Sequence, residues 1–268
     1  MPFPLAHPAA VLPLRRFCPR SLSLAALMIG SLAPDTSYLL WRFRVNEFAH
    51  TWLGSLGYCL PAGVFMFLIF QVVRGPLVSA LPAPHREALL PLSRMPPSAP
   101  AVLLVSLLVG IWTHLALDAA TRESRIVVAH LPVFQQEIAS MQEKGFQPYR
   151  LLWYLLTCGG LAWLGAAYLV FLKKSTGSMR CYAPWDAQRY LLWTALLALP
   201  GLAVLPFALR HAEGWPQVYA IRYFFYAWSA YALVATGTTL VGLGLVLRAL
   251  QEIRARTAST RCSRAQPK

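Results

Sequence analysis

Charge is scarce in this chain, and acidic charge most of all. Its 268 residues hold 10 Asp and Glu against 24 Lys and Arg, and only 13% of positions are charged. A soluble globular domain carries about 25%, so this few charges argues strongly against an ordinary water-soluble enzyme. Cysteine is equally uninformative as a framework. The five residues Cys18, Cys59, Cys158, Cys181 and Cys262 are scattered and odd in number, and no CxxC pair occurs. That argues against a disulfide scaffold and a thiolate zinc site. No P-loop, GxSxG, HExxH or GxGxxG element is present, which leaves nucleotide and serine-hydrolase readings without support. Nor is there a basic helix interleaved with aromatics, so the net charge of +14 does not point to nucleic acid. The basic residues fall between and beyond apolar runs, as loops facing anionic lipid require.

Apolar runs are what the chain has in abundance: 57% hydrophobic residues and a mean hydropathy of +0.50. A membrane-spanning helix needs about 20 predominantly apolar residues. Residues 52–73, 151–172, 190–209 and 223–247 meet this without a charge, and 101–121 meets it except for His114 and Asp118. Pro61, Pro200 and Pro206 are expected to kink their helices. Nine Trp and eleven Tyr suit interfacial belts. The expectation is an all-α polytopic helical bundle of five or six spans. It forms a single domain over residues 1–250, followed by a basic, disordered tail at 251–268.

Residues 21–41 decide between five and six. Their apolar stretch halts at Pro34-Asp35 and resumes weakly, which fits a sixth span, a re-entrant helix or, less well, a cleaved leader with Arg15, Arg16 and Arg20 as its basic region. With six spans the Lys and Arg divide 16 against 8, both termini cytoplasmic; with five they divide 11 against 13. The count favours six.

Against this apolar background a few polar residues stand out. His114 and Asp118 are four apart, so on a helix they share one face with Cβ atoms about 6 Å apart. Such a pair can ligate a divalent metal or act as a base and its orienting partner; its bland alternative is a histidine that simply hydrogen-bonds a carboxylate near the interface. Asp35 follows Pro34 and is as readily an N-cap. His50 sits at the entrance to the 52–73 run, and His7 precedes a short apolar segment. Counting spans brings Asp35, His50, His114 and Asp118 to one membrane face. His7 joins them only with five spans.

The order His7-Pro8-Ala9-Ala10, Gly30-Ser31-Leu32-Ala33-Pro34-Asp35, Phe48-Ala49-His50-Thr51 and Thr113-His114…Asp118 resembles the bacterial DUF4184 family of membrane proteins. In motif order that family is similar to the YdjM/YbcI group of inner-membrane proteins, whose metal-dependent hydrolysis is itself inferred from residues and which is distantly likened to zinc phospholipase C. The resemblance covers about residues 1–172, with His130-Leu131-Pro132 also fitting. It implies a metal held by His7, Asp35, His50, His114 and Asp118, with the first 50 residues re-entrant or on the surface. After the HxxxD element such proteins often carry a His-Gly or Asp-Gly turn, where this chain reads Thr121-Arg122-Glu123-Ser124-Arg125.

These residues lead to an expected function. A metal-dependent hydrolase in the bacterial cytoplasmic membrane would hold a divalent ion, zinc given mixed nitrogen and oxygen donors. It would act on an ester or phosphoester, with a lipid-derived substrate and Asp118 or His130 moving the proton. Membrane lipids are its expected partners, and nucleic acid is not. Two non-enzymatic alternatives stand beside it: a proton or cation relay through His114 and Asp118, and a bundle whose polar cluster only fixes helix packing.

Overall fold

The computed structural model describes residues 3–18, 20–40, 43–121, 148–176, 184–213 and 217–264, among which there is no strand. The principal helices are α1 Leu24–Leu32, α2 Phe43–Ala49, α3 Leu60–Ala80, α4 His85–Ser93, α5 Pro100–Thr121, α6 Pro148–Thr176, α7 Pro184–Ala203, α8 Leu205–Ala212 and α9 Gln217–Arg264. Five stretches of the described residues are long and apolar enough to cross a membrane: Trp52–Ala80, Pro100–Ala119, Leu152–Thr176, Asp186–Ala212 and Tyr223–Thr257. The fold is an all-helical polytopic bundle. Large apolar side chains such as Phe65, Leu169, Leu191 and Ile221 point outward, as a lipid solvent allows and water does not.

Residues 21–41 do not add a sixth span. Helix α1 has nine residues, about 13 Å of rise against about 30 Å of hydrocarbon. It ends where Pro34, which lacks an N–H, starts a separate 3-10 turn over Pro34–Leu40. The six-span count is therefore not met, because it treats this broken segment as continuous.

Packing divides the chain into two compact units, Met1–Leu68 with Pro97–Phe171 and Ile69–Pro96 with Leu172–Lys268. In the first, α1 and α5 lie side by side and parallel. The Ser23 N–H donates to Ser106 Oγ at 2.8 Å, and farther along Ser31 O accepts from His114 Nδ1 at 2.8 Å, the same sequence offset at both ends. Backbones touch directly: a Cβ on Gly30 would lie 2.3 Å from Leu107 O, and one on Gly110 would lie 2.3 Å from Leu27 O. Ala26, Phe67 and Leu107 form the buried core beside this contact. The first turns of the Trp52–Ala80 stretch are irregular. Thr51 Oγ1 accepts the Gly54 N–H at 2.9 Å, a π turn follows at Ser55–Cys59, and Cys59 Sγ donates to Ala49 O at 3.1 Å. Pro61 stands in the first turn of α3 immediately after that π turn.

In the second unit, α7 and α8 pack on α9. The turn at Val204 that separates α7 from α8 lies between Pro200 and Pro206, so the run read as one kinked span is two helices. Helix α9 continues to Arg264, through the basic segment expected to be disordered. Leu250 to Arg256 contains no Gly or Pro, and a helix already nucleated by an apolar span propagates through such residues.

One side-chain clasp holds the link between α3 and α4. Asp186 Oδ1 accepts the Ala83 N–H at 3.2 Å, Arg189 donates to Leu81 O at 3.2 Å, Tyr190 Oη donates to Ala83 O at 2.9 Å, and Trp193 Nε1 donates to Ala80 O at 3.0 Å. Asp186 is buried. Asp186→Ala removes an acceptor from an enclosed N–H, which costs about 1–3 kcal/mol. A lowered thermal midpoint of the detergent-purified protein, largely restored by Asp186→Asn, is the expected result.

Candidate metal centre

Helix periodicity places His114 and Asp118 one turn apart on α5, and the parallel approach of α1 sets the first of them. Because glycine at 30 and 110 lets the two backbones meet, Ser31 O reaches His114 Nδ1. A carbonyl accepts only from a protonated nitrogen, so Nδ1 carries the proton and Nε2 presents its lone pair. His50, following α2, is fixed in the same way: its Nδ1 lies 2.7 Å from Asn46 O. The Ser37 hydroxyl donates to Pro34 O at 2.8 Å and lies 2.9 Å from the Asn46 side-chain amide. That links the turn bearing Asp35 to the helix that positions His50.

The donor atoms of five residues converge. His50 Nε2 is 3.3 Å from Asp118 Oδ2, and His114 Nε2 is 3.7 Å from Asp35 Oδ1 and 3.9 Å from Asp118 Oδ2. His7 lies between the short turns Pro4–Ala6 and Pro8–Val11, and its Nε2 is 3.9 Å from Asp118 Oδ1. The His7 ring stacks on that of His114 with centroids 3.8 Å apart. None of the five residues is more than 9% exposed.

These separations fit a common ion. Donors about 2.05 Å from a tetrahedral centre lie about 3.3 Å from one another, whereas N–H···O hydrogen bonds cluster at about 2.7–3.2 Å. Two groups, His7–Asp35–His114 and His50–His114–Asp118, keep their donor atoms within 4.8 Å of one another, with His114 common to both. The donor chemistry agrees: buried charges are paired or coordinate metals, and an imidazole whose other nitrogen is held by a carbonyl is the usual form of a metal-binding histidine.

Every metal-site candidate from the sequence thus comes together: His7, Asp35, His50, His114 and Asp118. His130, the other candidate for proton transfer, lies outside the described residues. Sequence reasoning missed the supporting carbonyls of Ser31 and Asn46. The adjacent Gly30 was a signal for the first, since close backbone approach brings the next carbonyl within reach. Nothing in the sequence marks Asn46.

Residues 1–213, which include all five donors, match the family model DUF4184, described as a domain of unknown function. No curated protein and no solved structure matches the chain, so the wider likeness to the YdjM/YbcI group is without support from these comparisons.

Proposed function

The chain belongs to the DUF4184 family, and from its own residues we propose that it is a membrane-embedded, metal-dependent hydrolase of an ester or phosphoester, lipid-derived, in a bacterial cytoplasmic membrane. The observation that carries this reading is the convergence of three imidazoles and two carboxylates on a buried centre, with two of the imidazoles held so that Nε2 points inward. His114 is five residues from the end of its span, about 7.5 Å of helix rise, so the donors sit toward one end of the span and not at its middle. When bound, a divalent ion such as zinc lowers the pKa of water and polarises the ester oxygen.

The protein's own groups do the rest. His7, Asp35, His50 and His114 hold and orient, and their burial keeps bulk water from competing. Hydrolysis joins the water oxygen to the acyl carbon or phosphorus, breaks the ester bond, and moves a proton from water to the leaving oxygen. Asp118 has an oxygen to offer as a ligand and a second to carry that proton, at the end of the span nearest the surface. His130 remains the other candidate for the transfer.

Element-resolved mass spectrometry of the detergent-purified protein, paired with turnover of a panel of carboxylic and phosphate esters, tests the reading. Zinc or another divalent ion is expected at one or more per chain, and chelation should remove both ion and turnover, with re-addition restoring them. Absence of metal after ions are added back would overturn it. A second reading is favoured by the origin of the donors in separate segments of the chain: the ion cross-links the fold and does no chemistry. Stoichiometric metal with no turnover across the panel would select that reading over hydrolysis.

A further inference from the structure

Three of the uncharged runs end at an arginine: 190–209 at Arg210, 52–73 at Arg74 and 223–247 at Arg248. In the second unit Arg74 on α3 and Arg248 on α9 line one open concavity of about 410 Å³ with Gln71, Ser93, Gln251 and Glu252. Arg248 Nε donates to Glu252 Oε1 at 3.1 Å and its Nη1 to Val72 O at 3.4 Å. Arg74 Nη2 donates to Met95 O, and its guanidinium carbon lies 5.8 Å from the centre of the Phe70 ring. Each guanidinium offers five N–H donors, of which these hydrogen bonds engage one on Arg74 and two on Arg248.

We infer that this concavity binds a phosphate group, as a phospholipid headgroup or as free phosphate. An arginine that only marks the membrane boundary extends its head separately into water. Here two heads from helices far apart in sequence meet in a recess that also holds two amides and a hydroxyl. A guanidinium fork matches phosphate oxygens in pairs, which an ammonium cannot do. Both arginines directly follow hydrocarbon-length runs, the level at which phospholipid phosphates lie. Glu252 refines the choice: two positive charges and one negative leave the recess with a net charge of one, suited to a phosphodiester monoanion and less to an inorganic dianion.

The test uses the full-length protein in detergent and native mass spectrometry with added phosphatidylglycerol, diacylglycerol or inorganic phosphate. The wild type is expected to retain phosphatidylglycerol and not diacylglycerol. Arg74→Gln with Arg248→Gln should lower that retention by about 25-fold, from about fivefold per arginine at an anionic surface. Arg20→Gln with Arg210→Gln removes the same charge elsewhere and should leave retention unchanged, and matching thermal unfolding of both double variants shows that folding is intact. Displacement of the lipid by excess inorganic phosphate, with phosphate itself retained, would identify free phosphate as the source. Equal retention by wild type and Arg74→Gln/Arg248→Gln, or equal retention of diacylglycerol, would overturn the inference.

Discussion

Alanine in place of His114 is expected to weaken metal binding more than alanine at His7, Asp35 or His50. His114 is the residue common to both donor groups, so its loss leaves neither intact, whereas each of the other three belongs to one. Zinc-binding free energies of about 10–16 kcal/mol over about four ligands give about 3 kcal/mol each, roughly a hundredfold in affinity. The prediction is a loss of at least about a hundredfold for His114→Ala and a smaller loss at the other three positions. Chelator-competition titration of the purified variants measures it. An equal, small effect at all four positions would show that the imidazoles and carboxylates pack without sharing an ion.

The second large effect falls on a residue that touches no ligand. In Gly110→Ala the new Cβ would meet Leu27 O at 2.3 Å and Ser31 N at 2.9 Å. Both obstacles are backbone, so α1 must move as a unit. Overpacking in a close-packed interior costs about 1–3 kcal/mol and more where the neighbour cannot yield, and a cost at or above the upper end is expected here. The displacement also draws Ser31 O away from His114 Nδ1, so metal affinity should fall with stability. Gly165, on α6, has nothing within 4 Å of where its Cβ would be, and Gly165→Ala is the matched control. Thermal unfolding that places both variants beside the wild type would refute the packing described for α1 and α5.

Much of the fold could be read from hydropathy alone because the bilayer imposes one rule, a long apolar helix or none. The runs 52–73, 190–209 and 223–247 reappear inside longer apolar stretches, and 101–121 and 151–172 inside α5 and α6. The spacing of His114 and Asp118 was legible for an equally simple reason: four residues is one turn. His7 was harder. Its membership depended on the number of spans, and counting arginines pointed the wrong way because a charge count cannot see that Pro34 breaks the segment it is scoring. The donor motifs pointed the right way. What no linear reading supplied was partner choice. That α1 runs parallel to α5 at a fixed offset follows from two glycines far apart in sequence, and neither identifies the other. The Asp186 clasp is similar: four ordinary polar side chains matter only because a proline-rich turn comes to lie beside them.

The short segment that carries His7 has a consequence in time. It docks where the Phe3 N–H meets Thr157 Oγ1 at 3.1 Å and where Ala6 abuts Gly160. A ribosome adding about 5–20 residues per second reaches that part of α6 some 8–30 s after it has made His7. Pro8–Val11 also packs on α1 and α5, but the seat against α6 is completed only about 2–8 s after Asp118 has been made. An ion shared by all five donors would be enclosed only after that docking.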